Sequence, residues 1–298
     1  FLVCNIGGSL TPLGDPPLFI GFLKGVDFFW TTQHLWPETL AVSLVVLAIF
    51  AVIDIYFHRR DDRKPHPIDP TPDSPIKLHG GINFALIAVI IGAILMSAQW
   101  RPGVTFTVAE VHLELQDLVR DAIFVLVAIA SVVLTRKKHR AANGFTWGPI
   151  QEVAILFAGI FICIVPVMAM LQAGSNGAFS AVLGMVTRAD GHPNPMAYFW
   201  LTGILSSFLD NAPTYLVFFQ LAGGDPTHLM TDLSHVLVAI SLGAVFMGAM
   251  TYIGNAPNFM VYAICTERGM KMPSFFGYML WSLAVLLPIF VVLSLIAI

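Results

Sequence analysis

The chain has 298 residues, 57% of them hydrophobic and only 11% charged, with a mean hydropathy of +0.79 and a formal net charge of -3. A soluble domain carries about 25% charged residues, so this composition excludes one and defines an integral membrane protein. The basic residues are scattered between apolar spans, which leaves neither a nucleic-acid footprint nor an acidic tail; the lipid bilayer is the expected partner and nucleic acid is not.

A membrane-crossing helix needs about 20 mostly apolar residues, and this length sorts the chain. Asn5–Leu23 is apolar but interrupted by Gly, Pro and Asp. Pro37–Phe57 reads as a span, and His58–Lys64 follows it as a basic loop. Lys64–Pro75 is proline-rich and reads as a semi-extended linker. Gly81–Ala98 and Asp121–Thr135 are spans, separated by an acidic loop over 100–120. Within that loop, Thr107–Asp121 puts Glu114, Asp117 and Asp121 on one helical side, as an interfacial helix would, with a simple solvated face as the preferred meaning of those charges. Arg136–Arg140 is the strongest basic anchor. Pro149–Leu171 is the next span. Between Pro193 and Leu221 an apolar stretch is split at Asp210-Asn211-Ala212-Pro213, giving either one span or half of a re-entrant hairpin whose other arm is Gly177–Thr187. Thr231–Ile264 is long enough to cross despite a break at Gly254–Pro257, and Phe275–Ile298 is the last span.

The two interrupted segments share a motif. Gly8–Phe19 aligns without a gap on Gly248–Phe259, 240 positions on, with five of twelve pairs identical: Gly8/Gly248, Thr11/Thr251, Gly14/Gly254, Pro17/Pro257 and Phe19/Phe259. Broken backbone at membrane depth is tolerated only where it lines a protein cavity. Short basic loops stay cytoplasmic, and alternating the spans from Arg136–Arg140, with Arg268 and Lys271 also inside, sends the two copies across in opposite directions. The expected fold is therefore all-α, a polytopic membrane protein with inverted-topology repeats, broken helices and a re-entrant hairpin. Residues 1–57 end the first repeat, 58–80 link, and 81–298 form the second repeat, with the hairpin at about 176–222, the broken helix at about 231–264 and the last span at 275–298.

Asp15 and Asp210 are the carboxylates placed where charge is expensive, so each is expected to be paired or to line a pathway. Each is followed closely by proline, which removes a backbone donor and frees carbonyl oxygens nearby. With the hydroxyls of Thr11, Thr214 and Thr251, these oxygens suit a hard cation such as Na⁺, while free N–H groups at half-helix N-termini attract anions. Na⁺ and H⁺ compete for a carboxylate, which is what an antiporter requires. The nine histidines lie in loops or at span edges, and only His235, which opens the long broken span, is a candidate proton relay. Trp30, Trp36, Trp100, Trp147 and Trp200 fall near span ends as an interfacial belt. Cys4, Cys163 and Cys265 stand alone without metal-ligand spacing. Phe1 is not a start methionine and no signal peptide is read, so the chain is expected to lack its natural front.

Asn5–Pro17, Ser206–Thr214 and Tyr252–Asn258 resemble the signature segments of the ion transporter superfamily, in its NhaD-type sodium/proton antiporter and citrate-transport (CitMHS-like) branch. The resemblance implies ion binding between hairpin tips and broken helices. It assigns Ser206, Ser207, Asp210, Asn211 and Thr214 to the second hairpin tip, and Thr251, Gly254, Asn255 and Asn258 to the second break. Asn5, Thr11, Gly14 and Asp15 fall in the first break, whose own tip would lie before Phe1. A Na⁺ ion is expected at Asp210, Asn211, Thr214, Thr251 and Asn255. The resemblance further implies a multi-pass protein of the bacterial inner membrane, a homodimer, and no cofactor beyond transported Na⁺ and H⁺. Sodium/proton exchange, transport of citrate, a dicarboxylate or an oxyanion, and an intramembrane acid/base enzyme are the three functions these residues allow, in that order.

Overall fold

The computed structural model describes residues 1–60, 80–108, 111–142, 144–173, 176–267 and 269–298. The Pro-rich linker expected at Lys64–Pro75, and Arg268 among the orientation anchors, lie outside these residues. The chain forms two compact units, one built from Phe1–Asp61 with Phe157–Ile298 and the other from Asp62–Leu156.

Helix dominates the described residues, and its placement follows the apolar runs. In chain order come α1 (Pro16–Leu23), α2 (Trp30–Arg60), α3 (Ile82–Gln99), α4 (Leu115–Leu134), α5 (Lys137–Ala142), α6 (Gly148–Gln172), α7 (Ser180–Val186), α8 (Pro195–Phe208), α9 (Asn211–Leu221), α10 (Pro226–Met230), α11 (Ser234–Met247), α12 (Ala256–Glu267) and α13 (Phe275–Ala297). Among the described residues, α2, α3 and α13 are each long and apolar enough to cross a membrane. Only 6% of the apolar window of α2 is buried inside the protein; its exposed Leu44, Leu47, Phe50 and Val52 present the surface that lipid covers. The molecule is an all-α polytopic membrane protein.

Two expectations fail locally. Thr107–Asp121 does not form one interfacial helix: β1 (Thr105–Val108) and β2 (Val111–Glu114) make a short antiparallel hairpin, and α4 starts only at Leu115. Thr105, Thr107, Val108 and Val111 favour a pleated strand, which outweighs the helical spacing of the acidic residues. The re-entrant hairpin is also differently composed. Tyr198 and Phe218 stack edge to face at 6.2 Å, whereas 20 positions of continuous helix would hold them about 30 Å apart. Both arms, α8 and α9, therefore lie inside Pro193–Leu221 and fold back at Leu209-Asp210, and the expected arm Gly177–Thr187 instead contains the short α7. Leu209 and Asp210 are extended, while Pro213 falls in the first turn of α9, where its missing N–H has no helical partner to lose.

The core of the first unit is the α8–α11 pair. Every residue from Val236 to Met247 is buried, and small residues let the helix backbones touch. A Cβ on Gly243 would stand 2.6 Å from Phe199 O, and one on Gly203 would overlap the side chain of Met247. Helices in lipid associate through such close packing rather than through the hydrophobic effect.

Candidate functional site

The repeated motif folds the same way twice. Each copy makes a single 3₁₀ turn, Ile6–Gly8 and Gly248–Met250, then a non-helical stretch, then a helix opening at Pro16 or Ala256. In the first copy a Cβ on Gly8 would lie 2.5 Å from Gly14 O, and in the second a Cβ on Gly254 would lie 2.7 Å from Gly248 O. The identical glycine pairs thus mark where the chain crosses itself. Equivalent backbone bonds restart the helices, Leu18 N–H to Asp15 O at 3.1 Å and Asn258 N–H to Asn255 O at 3.0 Å. Asn5 Nδ2 reaches Val245 O at 3.5 Å, a contact between positions 240 apart. Equivalent positions meet in this way where a twofold axis passes between two copies.

Carbonyls freed at each break are satisfied by hydroxyls from the span that follows, as buried backbone oxygens require. Thr31 and Thr32 donate to Leu10 O at 3.1 and 2.5 Å, while Ser282 donates to Met250 O, the equivalent oxygen, at 2.6 Å. Ser9 and Thr39 share a hydrogen bond of 2.7 Å, and Tyr278 donates to Ala249 O at 3.2 Å. Sequence reading missed these supporting groups; their signal is a small hydroxyl or a tyrosine inside an apolar span just after a break.

The hairpin tip is fastened to the second break. Ser206 Oγ donates to Ala244 O at 2.7 Å, and Ser207 Oγ is placed 2.9 Å from Met247 O and 2.8 Å from Gly203 O. Thr251 Oγ1 donates to Ser207 O at 2.5 Å and accepts from Gly254 N–H at 3.0 Å. Asn258 Nδ2 closes the loop onto Gly248 O at 3.1 Å. Thr214 Oγ1 donates to Asp210 O at 3.0 Å inside α9, and Asn255 Nδ2 reaches across to Cys4 O at 3.1 Å. All of these side chains except that of Asp210, which is half-buried at the N-cap of α9, are buried.

Asp15 is the buried carboxylate of the centre, 4% exposed. Asn211 Nδ2 donates to its two oxygens at 3.0 and 3.1 Å, and Asp210 precedes Asn211 at the N-cap of α9. Among the described residues, Asn5 Oδ1 and Asn211 Oδ1 are buried without a hydrogen-bond donor. Of the sequence-predicted residues, Asp15, Asp210 and Asn211 meet where the first break faces the tip, and Ser206, Ser207, Thr251, Gly254 and Asn258 meet at the second break. Thr11 is half-buried and Gly14 exposed. His235, in the first turn of α11, has no contact with Asp15 or Asp210 among the described hydrogen bonds. Glu38, which sequence reading did not single out, lines an apolar groove of about 410 Å³ between Pro37 and Pro288, and its Oε2 is shielded from solvent.

An apolar helical body with paired broken segments around a buried polar centre is the architecture in which membrane transporters build their binding sites. A family model described as "Putative citrate transport" matches residues 1–298, and the chain belongs to that family. It is also similar to proteins called uncharacterized transporters in Mycobacterium bovis and Mycobacterium tuberculosis, each 26% identical over 279 residues, which is 89% of this chain. The chain spans 58% of the length of those relatives. No solved structure matches.

Proposed function

We propose that the chain is the greater part of a cation-coupled secondary transporter of the bacterial inner membrane that exchanges Na⁺ for H⁺ at the Asp15–Asp210 centre. One observation carries this reading: the buried carboxyl of Asp15 meets the hairpin tip at Asn211, beside Asp210 in the chain, and Asn211 Oδ1 is buried without a hydrogen-bond donor. Oxygen donors without a basic side chain are the ligand chemistry of hard cations, and a carboxylate set of this kind holds either a cation or a proton. Apparent Na⁺ affinity should therefore fall as pH falls, because protonation removes the charged ligand.

A second reading, uptake of citrate or a related carboxylate, is favoured by the family's description. Two carboxylates repel a polyanion, so in that case the cation would have to sit between them and the substrate. Proteoliposomes of the full-length parent decide the matter. Collapse of an imposed pH gradient on adding Na⁺ or Li⁺, lost in Asp15→Asn and Asp210→Asn, is the expected result. Ion-dependent accumulation of labelled citrate without such a collapse would replace it with the second reading, and unchanged flux in both variants would remove the site.

A further inference from the structure

The second unit holds a polar centre of its own, which the transport reading does not use. Asn83, in the first turn of α3, faces the last turn of α4. Its Nδ2 donates to Thr135 Oγ1 at 3.0 Å, and its Oδ1 accepts from Ser131 Oγ at 2.9 Å. These groups wall a notch of about 310 Å³ that Gly80, Val132, His139, Arg140 and Phe145 complete. At roughly 30 Å³ per water, it has room for about ten waters, more than a phosphate group needs.

Charge and location narrow the occupant. Arg140 lines the notch, and Arg136, Lys137 and Lys138 precede it in the chain. Among the described residues, no carboxylate lines the notch and none pairs with those four cations. The flanking helix surfaces are apolar and open: Phe84 is 65% and Val133 74% exposed. A basic loop that only fixes orientation needs charge alone. It does not need a recess walled by hydrogen-bonded amide and hydroxyl groups at the membrane boundary. Basic pockets between membrane helices on the cytoplasmic side are the chemistry that holds anionic lipid heads.

We propose that the notch between the start of α3 and the end of α4 binds a phosphate group, with Arg140 as its charge partner and Asn83 and Thr135 as its polar wall, and that an anionic phospholipid supplies it. The test is native mass spectrometry of the full-length protein offered equal amounts of phosphatidylglycerol and phosphatidylcholine with the same acyl chains. Selective retention of phosphatidylglycerol is expected, reduced about fivefold in Arg140→Gln, the factor that one basic charge near an anionic lipid surface is worth. Arg140→Lys should restore most of it, and Arg101→Gln, an exposed arginine beyond the other end of α3, should leave it unchanged. Thr135→Val tests the wall without touching charge and should also lower retention. Equal retention of the two lipids, or wild-type retention in both Arg140→Gln and Thr135→Val, overturns the proposal. A competing arm with soluble glycerol phosphate separates the sources: lipid that stays bound supports the lipid assignment, and lipid displaced at matched concentration overturns it in favour of a free phosphate.

Discussion

In the first break Asp15 supplies an ionisable carboxyl that meets Asn211 of the hairpin, whereas in the second break the equivalent Asn255 is a neutral amide that donates to Cys4 O. The backbones are alike, down to the glycine crossing and the bond that restarts each helix. What differs is the company. The second break is laced to the tip of its own repeat through Ser206, Ser207 and Thr251, while the first meets that tip through Asp15 and Asn211. Repetition of a backbone motif therefore fixes a scaffold, and the residue at one equivalent position decides which copy carries a carboxyl group.

Gly254→Val should break the comparison most severely. Even a Cβ there would lie 2.7 Å from Gly248 O, 2.7 Å from Ser206 O and 2.9 Å from Ser207 O, and backbone cannot give way as a side-chain end can. A loss at or above the usual 1–3 kcal/mol of overpacking is expected, read as a lower melting temperature or no folded protein in detergent. Asn255→Asp should come next. It gives the second break the carboxyl group of the first but replaces a donor facing Cys4 O with an acceptor, which costs about 1–3 kcal/mol; a melt unchanged from the parent would show that Asn255 is not held as described. Thr251→Val removes both a donor to Ser207 O and an acceptor for Gly254 N–H, with about 1–3 kcal/mol expected and Thr251→Ser close to wild type. Ser282→Ala deletes one bond to Met250 O and should cost the least, about 0.5–1.5 kcal/mol by the same measurement.

The breaks were legible because Gly, Pro and Asp are conspicuous in an apolar chain, and their fixed offset exposed the repeat without any alignment. Three expected spans, Pro37–Phe57, Gly81–Ala98 and Phe275–Ile298, coincide with α2, α3 and α13, although α2 runs from Trp30 rather than Pro37 because Trp30–Trp36 continue the helix beyond the apolar window. The strands at 105–114 were not legible: helical and strand spacing coexist over so short a stretch, and the pairing of Thr105 with Glu114 settles it. Nor could spacing reveal that Asn211 grips Asp15, a contact spanning 196 positions. A motif tells which residue types gather at a break; it says nothing about which repeat's tip arrives there.

Because Gly203 and Gly243 let α8 and α11 touch backbone to backbone, and Ser206 and Ser207 bolt them together at the far end, the tip and the second break form one lever. Turning it carries Ser207 and Thr251 along as a pair and leaves their mutual distance unchanged. Slack in this half of the molecule is therefore taken up at the seam with the first break, which Asn211 bridges to Asp15, Asn5 to Val245 O and Asn255 to Cys4 O.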